Sequence, residues 1–107
     1  MQPITDQAGF DQLATLPIAL LLKHGARCPI SANARAEVTR FASAHPDVPV
    51  FSLEVVEHAM LSRDIAGALG VKHESPQLFL LERGASKWYT DHYDITADDI
   101  ATRLPRT

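Results

Sequence analysis

Only one cysteine occurs in the 107 residues, so no disulfide can form within the chain and oxidation contributes nothing to its fold. Any redox chemistry there requires a second molecule. Positive charge is not in excess either: 10 Lys and Arg stand against 13 Asp and Glu, a net charge of -3, which is the wrong balance for gathering phosphate backbones. Nucleic acid is not an expected partner. The longest clearly apolar run, Ile18 to Leu22, falls far short of the about 20 residues of a membrane span, and "MQPITDQAGF" has no basic stretch leading into an apolar one. The expected setting is cytoplasmic, with no membrane partner. With 46% apolar and 21% charged residues the composition excludes disorder, collagen and disulfide-scaffold classes, and it fits one domain over residues 1–107, a monomer or weak dimer.

Periodicity supplies the elements. Thr5 is placed to cap a helix running to about Leu16, with Phe10, Leu13 and Ala14 on one face. "IALLLKH", Ile18 to His24, is too short for a stable helix and is bounded by Pro17 and Gly25, as a strand buried on both faces would be. From Pro29 to Ala44 the apolar positions Ile30, Ala34, Val38, Phe41 and Ala42 fall at helical spacing, and "HPDVP" stops that helix before the β-rich "VFSLEVV". A second helix runs from His58 to Leu69, with Gly70 as its left-handed end. Two strands follow, Gln77 to Glu82 and Lys87 to Tyr93, joined at Gly84, and Thr96 opens a last helix that stops at Pro105. A βαβ unit, a helix and a ββα unit make an α/β chain with a four-stranded mixed sheet, flanked by helices and preceded by an extra N-terminal helix. This order resembles the thioredoxin-like fold. Phe10, Phe41, Phe51, Phe79 and Leu80 are expected in the core, and of Trp88 and Tyr89 only one can face it.

Cys28 lies where the buried strand gives way to the long helix. A thiol attacks as its thiolate, which is scarce for a free cysteine at neutral pH, but the unsatisfied N–H groups of a helix's first turn favour an anion at the N-cap. Pro29 fits the first helical position and keeps Cys28 outside the helix. Arg27 adds a neighbouring charge, and Ser31 offers a hydroxyl or an amide. In Cys28-Pro29-Ile30-Ser31 a serine stands where dithiol oxidoreductases carry a second, resolving thiol. A hydroxyl cannot release a mixed disulfide, so monothiol exchange with an outside thiol is the natural mechanism. A metal site is not expected, because His24 and Cys28 straddle a turn and no further pair completes a tetrahedral set.

"KHGARCPIS" together with "GVKHESPQ" is similar to the motifs of the monothiol bacilliredoxins, proteins of the bacillithiol system with the thioredoxin-like fold, over about residues 5 to 104. The resemblance implies that Cys28 removes bacillithiol from protein mixed disulfides, with no cofactor, and with bacillithiolated client proteins and a low-molecular-weight thiol as partners. It also implies a cis-proline at Pro76 opposite the cysteine, with the backbone of Ser75 pairing with the substrate. Bacillithiol carries carboxylates, so Arg27, Lys72, His73 and His24 are the candidate contacts for it. A glutaredoxin-like iron–sulfur protein and a redox-silent thioredoxin-fold binding protein are the competing readings. The first would need Gly-Phe where this chain has Pro29-Ile30.

Overall fold

The apolar run is the central strand of the sheet, β2 (Ala19–His24), in which every residue but His24 is buried. In the computed structural model, which describes residues 1–105, it is flanked by a parallel partner, β3 (Val50–Glu54), and an antiparallel one, β4 (Gln77–Glu82). Helix α2 (Pro29–Ala44) makes the crossover from β2 to β3. The fold is thioredoxin-like, as the element order implies. The sheet has five strands rather than four, ordered β1-β3-β2-β4-β5. The additional edge strand β1 (Gln2–Pro3) pairs with Phe51 and Ser52, and Ile4 N–H extends the contact by donating to Ser52 O at 2.8 Å. A strand of this length has no alternation from which it could be read.

Several boundaries move for local reasons. Helix α1 (Gln7–Leu13) is capped by Asp6, whose carboxylate accepts from Gly9 N–H at 2.9 Å, and not by Thr5. Strand β5 (Ala85–Asp91) starts two residues early because Arg83 and Gly84 both have positive φ, 48° and 81°, the mark of a two-residue hairpin turn whose twist suits the strands. It also ends early, where His92–Asp94 form a short 3-10 turn. Strand β3 stops at Glu54, and α3 (Ala59–Leu69) ends at Gly70 with φ of 68°. The last helix, α4 (Ala97–Arg103), is capped by Thr96, whose hydroxyl accepts from Asp99 N–H at 3.2 Å.

Alternation along the strands splits the core between two faces. Leu20, Leu22, Leu78 and Leu80 pack with Ala34, Val38, Phe41 and Ile100 under α2 and α4. Ala19, Leu21, Phe79 and Leu81 pack with Phe10, Leu13 and Ile65 under α1 and α3. Trp88 joins the first cluster, while Tyr89, on the other side of the strand, is half exposed. Phe51, expected in the core, is only partly buried, since it lies towards the β1 edge of the sheet. His24 therefore faces α2, and Lys23 and Gln77, paired across β2 and β4, face α3.

Candidate active site

Three loops meet at one end of the sheet: Gly25–Cys28 after β2, the turn after β3, and residues 71–76 entering β4. Their meeting follows from the register, because β2 and β3 run out of the sheet where the antiparallel β4 runs in. This is the end at which an open sheet places its ligands.

Cys28 is the N-cap of α2, with extended backbone (φ -92°, ψ 125°) imposed by Pro29 in the first turn. Its carbonyl accepts the first helical hydrogen bond from Ala32 N–H at 3.0 Å, and its own N–H donates to Gly25 O at 3.2 Å. The side chain is half-buried and makes no capping hydrogen bond. Even so, the thiol is held below the range of a free cysteine, first by the backbone N–H groups of Ser31 and Ile30, then by the Ser31 hydroxyl and the charge of Arg35. Partial burial opposes them. Ser31 is itself buried, and its oxygen accepts from Gly25 N–H at 2.9 Å, which leaves the hydroxyl proton free to turn to sulfur.

The cation that acts on the thiol is Arg35, not Arg27. Arg27, beside Cys28 in sequence, is exposed and lines an open cleft of about 370 Å³ with Ala26, Glu54, Val56 and Glu57. Arg35 lies two helical turns along α2 and on the cysteine's face, where its Nη1 donates to Gly25 O and to His24 Nδ1, both at 3.1 Å. Spacing along the helix could have shown this; adjacency in sequence could not. Because a guanidinium only donates, His24 must accept at Nδ1 and is neutral, its pKa lowered by burial and by Arg35 against a smaller opposing pull from Glu54. The loop's other brace is Glu54, whose Oε1 accepts from Ala26 N–H at 3.0 Å while Oε2 accepts from Glu57 N–H. Those two N–H groups hold its carboxyl below the usual carboxylate range.

On the third loop the Ser75–Pro76 peptide bond is cis, Pro76 is buried and Ser75 is half-buried. His73 Nδ1 lies 3.3 Å from Lys23 Nζ and 3.2 Å from Ser62 Oγ. An ammonium offers no acceptor, so Nδ1 receives and His73 is also neutral, its pKa lowered by burial and by Lys23. As contacts for an anion, then, the two histidines are not the cations the sequence suggested; each has an N–H at Nε2 to offer instead. Lys72 is exposed, with Nζ 4.0 Å from a Glu74 oxygen. Lys23, Gln77, Arg35 and Glu54 take parts in the site that the sequence motifs do not assign to them; for Lys23 the signal is a charge inside a run expected to be wholly buried. Among the described residues no three His, Cys, Asp or Glu side chains group to hold a metal, and no helix is long and apolar enough to cross a membrane.

Comparison with known proteins follows the same lines. A family model described as monothiol bacilliredoxin BrxC matches residues 2–100. A solved structure described as a proposed oxidoreductase with a thioredoxin fold is 34% identical with a TM-score of 0.89, over 94% of this chain and 90% of that one. Thioredoxin from Plasmodium falciparum (11% identity, TM-score 0.76, 95% of this chain and 94% of that one) and mitochondrial thioredoxin 3 from Saccharomyces cerevisiae (17%, 0.74, 95% and 91%) share the fold.

Proposed function

Because the chain belongs to the monothiol bacilliredoxin family, we propose that it is a thiol–disulfide oxidoreductase that removes bacillithiol from protein mixed disulfides through Cys28. A general thiol redox role follows from the family and from the 34% identical relative. The observation that carries the finer reading is an N-cap thiol biased towards its anion, with a buried serine hydroxyl where a resolving thiol would stand.

The Cys28 thiolate attacks the bacillithiol sulfur of the client's mixed disulfide, in line with the bond that breaks. A Cys28–bacillithiol disulfide forms, and the client sulfur leaves as a thiolate that takes a proton from solvent. No electrons are gained or lost overall at this step. Ser31 cannot attack the new disulfide, so a free low-molecular-weight thiol does, restoring Cys28 and leaving with bacillithiol as a disulfide. Ser31 and the N–H groups of the first turn stabilise the sulfur anion at the start and at the end. Arg27, Lys72 and the Nε2–H groups of His24 and His73 are the donors available to the carboxylates of bacillithiol, and the Ser75 backbone beside Pro76 is the edge against which the client pairs.

The test is mass spectrometry of the intact protein after incubation with oxidised bacillithiol and, separately, oxidised glutathione. An adduct on Cys28 from the first and little from the second is expected. Equal labelling would refute the choice of thiol, and no labelling by either would favour a redox-silent binding protein. Cys28→Ser should abolish both adducts with an unchanged circular dichroism spectrum; retained turnover would contradict the mechanism.

A further inference from the structure

Lys23 is fully buried on the face of the sheet that carries Leu21 and Phe79, opposite the face covered by α2, and among the described residues no carboxylate meets it. Its ammonium donates to Ser62 O of α3 at 2.9 Å and to His73 Nδ1 at 3.3 Å, and lies 5.6 Å from the centre of the Phe79 ring. Directly across the ladder from it stands Gln77, also buried. Gln77 Nε2 donates to Lys72 O at 3.0 Å, and its oxygen accepts from Glu74 N–H at 3.3 Å. The two paired side chains thus reach three consecutive residues, Lys72, His73 and Glu74, of the segment that leads into Ser75 and Pro76. Burying an unpaired ammonium costs stability, and the apolar neighbours would pack as well against a hydrocarbon. The burden is visible in the lysine, whose pKa is pushed down to about 8 by burial.

We propose that Lys23 and Gln77 are positioning residues that fix the backbone of residues 72–76, and hence the edge at Ser75 against which a mixed-disulfide substrate pairs. The proposal rests on the exchange reaction above and names how its substrate edge is held. The lysine works through His73, which its donation locks as the neutral Nε2–H tautomer and ties to α3 through Ser62. The glutamine works on the main chain on either side of that histidine. Neither is among the groups that act on Cys28, which caps α2, the helix on the other face of the sheet. Loss of the bracket therefore impairs recognition of an extended substrate and spares the thiol.

The distinguishing experiment uses the full chain and two disulfides: a bacillithiolated peptide, which needs the loop, and 4,4′-dithiodipyridine, which has no carboxylate and needs only an accessible thiolate. Lys23→Met and Gln77→Leu should each raise KM for the peptide by about tenfold, with the rate towards the aromatic disulfide and the alkylation pKa of Cys28 unchanged. Lys23→Gln, which keeps a donor for Ser62 O and His73 Nδ1, should recover most of the loss seen in Lys23→Met. The melting temperature of Lys23→Met should not fall, which separates positioning from a merely structural role. Gln77 holds the loop through two hydrogen bonds of its own, so its variant keeps the test alive if Lys23→Met does not fold. Unchanged KM in the variants, or equal loss with both disulfides, would overturn the bracket. A wild-type chain that reacts with the aromatic disulfide and not with the peptide would overturn the exchange reading and the bracket together.

Discussion

Residues adjacent in sequence to Cys28 matter less to its chemistry than those that helix geometry brings to it. Ser31 and Ile30 supply the N–H groups of the first turn, and Arg35 supplies the charge, while Arg27 spends its charge in solvent beside an open cleft. Their order of influence predicts an order of effects. Ser31→Ala should raise the apparent thiol pKa, as measured by the pH dependence of alkylation, and Arg35→Met should raise it by less, because charge acts here after the backbone and hydroxyl. Arg27→Met should leave it unmoved. Ser31→Ala also strands the buried Gly25 N–H, at about 1–3 kcal/mol of stability, readable as a lower urea midpoint. A larger effect from Arg27 than from Arg35 would mean that the local charge had been misassigned.

Elements carry the active loop to its place, and they were legible to different degrees. The run Ala19–His24 and the helix Pro29–Ala44 announce themselves by uninterrupted apolarity and by spacing, and Pro29 marks their junction to the residue. Edges were not legible. β1 is too short for a pattern, Asp6 and Thr5 are equally good caps on paper, and the hairpin lacks the Asn-Gly or Asp-Gly that signals its turn, using Arg83-Gly84 instead. Glycine at the second of these positions is required twice over. Its φ is 81°, and a Cβ there would come within 2.9 Å of Ala14 Cβ. Gly84→Ala should cost about 1–3 kcal/mol, seen as a lower urea midpoint with an unchanged m-value, and exchange at Cys28 should persist. A cost-free substitution would mean that the hairpin tip and the end of α1 are not in contact.

For the whole molecule, the two faces of the sheet divide the labour: the thiol and its stabilising groups sit with α2, and the bracket behind the substrate loop sits with α3. Composition could not show this, but strand alternation could have, because Lys23 and His24 necessarily point to opposite faces. The buried lysine also gives the fold a pH signature. Its pKa lies at about 8 against 10.5 unfolded, so between those values the unfolded chain holds more protons and stability increases with pH. Below pH 8 the full penalty of the buried charge is present. The gain amounts to about 3 kcal/mol across that window, and it should vanish in Lys23→Met when urea unfolding is followed from pH 7.5 to 10.5. A wild-type curve that is flat or falling there would place the ammonium in water.

The account depends most on the anion at the mouth of α2. Its sharpest test is the rate of iodoacetamide alkylation at Cys28 followed across pH, in the native protein and in urea. A native midpoint clearly below that of the unfolded chain is the predicted result, and a native midpoint equal to or above it would contradict the account.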